Sequence, residues 1–481
     1  MVVEHEAEMD PRVARYRAAV RARIGGRRVI VVRFVVAGTT GIARQLWELG
    51  AERVLVLAGA VGTGALPDPA YAEWRLVGSA APAGADISEE LRHFERSLGA
   101  LDAETVAVIE AFDPDRSALV LPDFVVDFDE VAGRRNHAPR KADWIALEDK
   151  LVVDALWDAL GVARAPSLAV AASAAARAAA HAALAAGAGT VWAGDAREGF
   201  HGGAAKTRHV ASARAVEETA AFFAARCDRV RVMPFLDGIP CSIHGIVFPD
   251  GVAALRPCEM MVLRQPGRTT FRYAGAASFW DPPESDRVMM RALAKRVGAA
   301  LRARFGFLGT FTIDGVMTVD GFRPTELNPR CGAGVGVLSA GLPALPMFAM
   351  DLLLRAGFDL GGSADELEGL LLPVADGCRA GGGWTVTGFV ARETASWRLA
   401  WDGSGYAVRG EVAPGEVVAA DGWLTIGPAP GGSLVRFSPA AEAAPVGRSL
   451  APRVVAAFAA ASREFGVDFG PLAAAREVRG G

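Results

Sequence analysis

Lysine is nearly missing from this sequence. Of the 51 basic residues only Lys141, Lys150, Lys206 and Lys295 are lysines. Where arginine is the default, a retained lysine hints that a compact ammonium is wanted. Excess charge of one sign is missing as well: 51 Lys and Arg face 55 Asp and Glu, for a formal net charge of −4. No global basic field points to nucleic acid, and a small-molecule partner is expected instead. The five cysteines (Cys227, Cys241, Cys258, Cys331 and Cys378) include no CxxC pair and leave one unpaired in any disulfide scheme, which fits a reducing cytoplasm. Long apolar runs are absent too. The tract from Ser167 to Gly194 is mostly alanine and is interrupted by Arg177 and His181, so it does not read as a membrane span. The opening MVVEHEAEMDPR lacks the basic, apolar, small-residue order of a secretory signal, and no repeat of solenoid period stands out.

What is present is 481 residues at 51% hydrophobic composition, enough for several cores and two to four domains. A charged helix is expected from Ala7 to Gly25. RRVIVVRFV (27–35), the turn AGTTG, the amphipathic IARQLWELG and RVLVLAG then make a βαβ unit of a parallel sheet. The turn offers Gly38 and Gly41 without a GxGxxG pattern, so it carries little sign of a dinucleotide site. TVAVIEAF and ALVLPDFVV are expected to extend the sheet, within an open α/β domain over 1–140.

From Lys141 the texture changes. WIALEDKLVVDALWDALGVARAPSLAV reads as one helix with Leu147, Leu151, Val152, Leu156 and Leu160 on its apolar stripe, ended by Gly161. An Ala-rich helix follows. TVWAGDAREGFHGGAAKTRHV then gives two strands joined by a loop holding Gly194, Gly199, Gly202 and Gly203, either a mobile tip or a backbone that must come close to something. RVRVMPFLDGIPCSIHGIVFPDGVAAL is strands with Asp-Gly turns. A helix over Arg287 to Arg304 carries Met289, Leu293, Val297 and Leu301 on one face. CGAGVGVLSAG is a second glycine-rich connection, and MFAMDLLLRAG a buried helix. Residues 361–481 alternate in short runs (WTVTGFVA, WRLAW, YAVRGEV, WLTIGP), a β-rich segment closed by a helix near Arg453 to Phe465.

The densest chemistry lies in TFTIDGVMTVDGFRPTELNPR, residues 310–330. Alternation makes two strands around Val-Asp-Gly. A three-residue loop with Gly321 left-handed sets Asp314 opposite Glu326, with Asn328 on the same face; a two-residue Asp-Gly turn puts Glu326 on the other face. Facing carboxylates repel unless a cation lies between them. Two carboxylates and an amide oxygen form a hard oxygen set that suits Mg²⁺.

TELNPR resembles the Glu-x-Asn-Pro-Arg signature of the ATP-grasp superfamily, as in biotin carboxylases and related carboxylate ligases. LEDKLVVDALWDALGVARAP is similar to that family's Asp-Lys helix, GFHGGAAKTRHV to its mobile glycine loop, and VRVMPFLDGIPCSIHGIV to its hinge strand, in the family's order. The resemblance implies an α/β chain, α+β in the lid. An ATP-grasp core over 141–360, with its lid at about 166–236, follows the N-terminal open βαβ domain (1–140) and precedes a C-terminal β-rich appendage (361–481). It further implies ATP with one or two Mg²⁺ (or Mn²⁺) on Asp314, Glu326 and Asn328. Lys150 would contact the phosphates, the loop bearing Gly199, Gly202 and Gly203 would cover them, and the backbone at Met233, Pro234, Phe235 and Leu236 would face adenine. Arg330 would be aimed at the acyl phosphate.

Two departures stand out. The strand TVWAGD lacks the family's lid lysine, leaving Lys206 or Arg197 to supply the charge, and the hinge lacks the family's glutamate near Met233 or Pro234 and its further acidic residue near Pro240. The activity implied is ATP-dependent joining of a carboxylate, activated as an acyl phosphate, to an amine. Glu259, Arg264 and Arg272 are candidates to touch the acid. The alternatives are a biotin-carboxylase-type enzyme that activates bicarbonate and a nucleotide-binding regulator without turnover. Small-molecule acid and amine are the expected partners, and a homodimer is expected on base rates.

Overall fold

The computed structural model describes residues 9–478 except 80, 83, 84, 172, 389, 390, 414, 415, 417 and 418. Residues 7 and 8 of the expected first helix, and Phe389 and Val390 of WTVTGFVA, lie outside the described residues.

The N-terminal part is a parallel four-stranded sheet in the order Ala72–Leu76, Arg53–Ala58, Arg28–Val32, Leu119–Leu121. Three of these strands, Arg53–Ala58, Arg28–Val32 and Leu119–Leu121, are apolar runs because helices cover both faces, while the edge strand Ala72–Leu76 exposes Glu73 and Trp74. TVAVIEAF is not one of them: it lies in the helix Ala103–Phe112. Asp102 caps that helix by accepting from the Thr105 amide at 2.6 Å, and Thr105, Ile109 and Phe112 are buried at helical spacing. A short apolar run reads equally as strand or helix, and here the capping aspartate decides.

The helix expected from Trp144 to Gly161 starts earlier and is interrupted: the structure has two short helices, Ala142–Ala146 and Val153–Ala159. Asp149 interrupts them, its Oδ1 accepting from the Leu151 amide at 2.8 Å and its Oδ2 from the Ala196 amide at 3.2 Å. The buried stripe shifts accordingly: Val152 is 47% exposed, while Val153 and Trp157 are fully buried beside Leu147 and Leu156.

Next comes an antiparallel sheet in the order Leu168–Ala171, Arg229–Pro234, Thr190–Gly194, Thr207–Val210, with helices Ala174–Leu184 and Ala213–Arg226 packed on it through Trp192, Phe223, Val230 and Val232. Gly194 permits that packing, since a Cβ there would lie 2.3 Å from the Cys227 sulfur.

A central sheet of eleven strands follows. It runs Gly321–Asn328, Gly309–Thr318, Ile239–Val247, Cys258–Arg264, Phe271–Ala277 and then continues through Gly381–Thr387 into the C-terminal strands. The junction needs the Gly-Gly-Gly of 381–383. Cβ atoms there would fall within 2.3 Å of the Ala276 carbonyl, the Phe437 carbonyl and Val454. The helix Glu284–Phe305 packs on the sheet with Met290, Leu293, Ala294, Val297 and Leu301 buried. Of the expected stripe, Leu293, Val297 and Leu301 are buried as read, whereas Met289 is 49% exposed and its neighbour Met290 takes the buried place. The second glycine-rich connection contains a short helix, Ala333–Leu338, and the buried helix is Met347–Arg355. The closing helix is Ala451–Phe465. No described helix is long and apolar enough to cross a membrane.

Candidate active site

The hairpin Gly309–Thr318/Gly321–Asn328 reaches the expected face by an unexpected route. Its loop has two residues, with Thr318 opposite Gly321 (φ +96°), which alone would turn Glu326 away from Asp314. A bulge at Thr325, between the Gly315–Pro324 and Asp314–Glu326 pairs, restores the register. Pro324 has no amide hydrogen to give the ladder, and a bulge is where a strand tolerates that.

Asp314 therefore faces Glu326, with Asn328 opposite Thr312 on the same face. Ser242, across from Asp314 on the strand Ile239–Val247, donates its hydroxyl to Asp314 Oδ1 at 2.5 Å. Asn328 Nδ2 donates to Asp314 Oδ2 at 2.8 Å. The Lys150 ammonium sits 3.0 Å from Glu326 Oε1, placed there by the Asp149 interruption. Burial, then the charge of Glu326, push the Asp314 carboxyl up to about 6, against the opposing pull of Ser242, Arg330 and Lys150. Arg330 is fixed from several sides. Its Nε donates to Glu148 at 3.0 Å, its Nη2 to Asn328 Oδ1 at 3.0 Å, and its guanidinium lies 4.8 Å from the Phe124 ring centre. Glu148 also accepts from Arg140 at 2.5 Å.

The glycine loop is docked over the site. The Gly202 amide donates to Ser88 Oγ at 3.0 Å, and Arg92 Nη1 donates to the Phe200 carbonyl at 2.5 Å, tying the loop to the helix Ile87–Gly99. Gly199 (φ +87°) and Gly203 (φ +58°) make its turns. Lys206 is buried behind the loop, donating to the Asp195 carbonyl at 3.2 Å and lying 3.3 Å from Glu198. His201 is held neutral, pushed down to about 3 by burial and then by Lys150 and Lys206.

These groups surround one cavity of about 1240 Å³. Lys150, Gly202, Gly203, Met233, Pro234, Phe235, Leu236, Asp314, Glu326, Asn328 and Arg330 all line it, whereas Gly199 and Lys206 stand behind the loop. Arg264 and Arg272 also line it. Glu259 does not: its carboxylate accepts from Ser449 Oγ at 2.5 Å and the Leu450 amide at 2.7 Å, at the start of the final helix.

Sequence reading missed Arg231. It lies on Arg229–Pro234 directly across from Ala193 on one side and Ala169 on the other, and these small neighbours leave room for its guanidinium. Nη1 donates to the Thr325 carbonyl at 2.9 Å, Nη2 is 2.7 Å from Asp154, and Nε is buried without a partner among the described residues. The signal was RVRV: Val230 and Val232 face the sheet's own core, so Arg231 must face the cavity.

No protein-family model and no curated protein matches the sequence. Solved structures do. The biotin carboxylase–beta-gamma-ATP complex from Campylobacter jejuni aligns over 93% of this chain and 92% of its own at TM-score 0.52 and 13% identity. An L-amino acid ligase from Bacillus licheniformis aligns over 86% and 94% at TM-score 0.46 and 14% identity. A carboxyaminoimidazole ribonucleotide synthase from Aspergillus clavatus, complexed with ATP, aligns over 88% and 94% at 0.48 and 13%. At such identities the likeness is one of fold, carried here by the first of the three. The chain has the ATP-grasp fold.

Proposed function

We propose that the protein is an ATP-dependent carboxylate–amine ligase. The observation that carries this is the opposed pair Asp314 and Glu326, with Lys150 paired to Glu326 and both carboxylates lining one cavity beneath a docked glycine loop. The donor set fits Mg²⁺, which takes one or two carboxylates from a protein and completes its shell with phosphate oxygens and water. Asp314, Glu326 and Asn328 would hold it, and it would neutralise charge on the transferring phosphoryl group. Of the Asn328 amide, Nδ2 now serves Asp314 and Oδ1 accepts from Arg330, so its share in holding the ion needs only a side-chain rearrangement.

The chain's own residues do the rest. Lys150 and Arg231 bind phosphate oxygens, one as a point charge and one as a fork. Met233 to Leu236 form the wall against which the base lies. A substrate carboxylate oxygen bonds to the γ-phosphorus as the bond to ADP breaks, giving an acyl phosphate. The amine nitrogen then bonds to the acyl carbon as the acyl carbon–oxygen bond breaks, and phosphate leaves with the proton that the nitrogen gives up. Arg330, fixed by Glu148 and Asn328, is placed to stabilise the oxyanion of that second step. The loop at Gly202 and Gly203 excludes water that would hydrolyse the intermediate.

ADP release from MgATP across single amino acids and acid–amine pairs tests this reading. Release that depends on an organic acid supports it, whereas release with bicarbonate alone favours the bicarbonate-activating alternative. Lys206 acts on the loop in this scheme. Lys206→Ala is expected to speed limited proteolysis within 195–206 and to cost less turnover than loss of Arg231; an unchanged cleavage rate would make Lys206 a bystander.

A further inference from the structure

One wall of the cavity carries an acid that nothing above uses. Glu90 is only 6% exposed and lines the cavity, yet among the described residues it accepts no hydrogen bond and makes no ion pair. The helix Ile87–Gly99 does not need it for its start. Asp86 and Glu89 already form the complete capping box there, Asp86 Oδ1 accepting from the Ser88 and Glu89 amides and Glu89 returning to the Asp86 amide at 2.9 Å.

Glu90 instead turns inward, against the turn at Pro430–Gly431. Gly431 is left-handed (φ +69°), and a Cβ there would lie 2.8 Å from Glu90 Oε1. The other flank is the glycine loop, held to the same helix by Ser88 and Arg92, with Gly203 packed beside Ile87. The residues of these flanks that line the cavity, Gly202, Gly203, Ala204, Pro430 and Gly431, carry no ionisable side chain, and His201 and Lys206 of the loop do not line it. Burial, then the like charge of Asp86, raise the Glu90 carboxyl to about 7.

A buried carboxylate with no internal partner is costly and awaits a cation. We infer that Glu90 binds the ammonium group of a primary-amine substrate at the seam of the N-terminal helix, the glycine loop and the 430–431 turn. The inference rests on the ligase reading and gives its acceptor a place. A monovalent donor of N–H groups suits a lone carboxylate, and Ile87 and Leu91, which line the same wall, would take the apolar part of the amine. Because the same helix holds the loop through Ser88 and Arg92, an amine seated on Glu90 lies where loop closure seals it from water.

The test uses the full-length protein with Mg²⁺ and a non-hydrolysable ATP analogue. n-Butylamine, glycinamide and L-alaninamide are titrated by calorimetry against n-butanol and lactamide. Saturable binding of the amines, at least tenfold weaker in Glu90→Gln and partly kept in Glu90→Asp, is the expected result. Equal binding to Glu90→Gln, equal binding of the hydroxyl analogues, or no binding of any amine to the wild type overturns it. Acid-dependent ADP release with an amine KM unaffected by Glu90→Gln would sink this inference alone; no ADP release with any acid would sink the ligase reading itself.

Stability gives a second readout. With its carboxyl raised from 4.5 to about 7 in the folded state, the wild type loses stability as pH rises through that interval, because the unfolded chain releases its proton first. Glu90→Gln is therefore expected to melt above the wild type at pH 8 and level with it at pH 4. A lower melting temperature at pH 8 would mean that the carboxylate is satisfied within the protein, against the inference.

Discussion

Glu326→Gln is expected to slow acid-dependent ADP release by about a hundredfold or more, the equivalent of roughly 3 kcal/mol of lost charge stabilisation. The amide keeps the shape of the side chain but not its charge, so it weakens the hold on a divalent cation. The fold should scarcely notice. The substitution breaks the Lys150 pair at 3.0 Å, yet it also removes the repulsion between Glu326 and Asp314 across the hairpin. The two effects oppose each other, each on the order of 1 kcal/mol at most for partly exposed groups. Stopped-flow or coupled ADP assays together with a melting curve check both halves. A near-normal rate in a well-folded Glu326→Gln would show that the opposed carboxylates are not the cation site.

Arg231→Met should weaken binding of MgATP by about 30-fold, or roughly 2 kcal/mol, the scale of a charge-assisted contact in a dry site. On the ligase reading, Arg231 supplies the cation that the lid strand lacks. TVWAGD gives alanine at 193, and the neighbouring strand sends a guanidinium into the space beside it. Its buried Nε has no partner among the described residues. Methionine fills most of the volume, and Asp154 keeps the Ser167 hydroxyl at 2.5 Å and Arg164 at 3.8 Å, which limits the damage to the fold. Arg231→Lys should recover part of the affinity, since an ammonium restores the charge but not the fork. Calorimetric titration with a non-hydrolysable analogue measures this directly, and an unchanged Kd in Arg231→Met would remove Arg231 from the phosphate site.

The parts of this architecture that were legible in the sequence were those where period and punctuation agreed. The β-branched 27–35 run, the glycine loop between two strands and the final helix were of that kind. The pairing of Asp314 with Glu326 was legible as one of two registers. What settled it was the bulge beside Pro324, a feature of the ladder that alternation alone does not carry. TVAVIEAF misled because a short run with six apolar residues in eight satisfies either period, and only the Asp102 cap, one turn upstream, distinguishes them. The helix through Lys150 misled because Asp149 looked like an ordinary exposed acid, whereas its side chain takes two backbone amides and breaks the run.

Arg231 and Glu90 were illegible for a different reason. Each looks like a surface charge in its own segment, and each matters only because another element comes against it: Ala193 beside the arginine, Gly431 beside the glutamate. Long-range packing places such groups, and local pattern cannot. Glu259 shows the converse. Its segment suggested a substrate contact, but the start of a helix 190 residues away claims its carboxylate.

The most direct test of the account is to incubate the protein with MgATP, hydroxylamine and one candidate acid at a time, and to measure hydroxamate and ADP together. A carboxylate–amine ligase built on Asp314, Glu326, Lys150 and Arg330 yields hydroxamate and ADP in equal amounts with its own acid, and neither without it. ADP that appears with an acid but with no hydroxamate would contradict activation through an acyl phosphate.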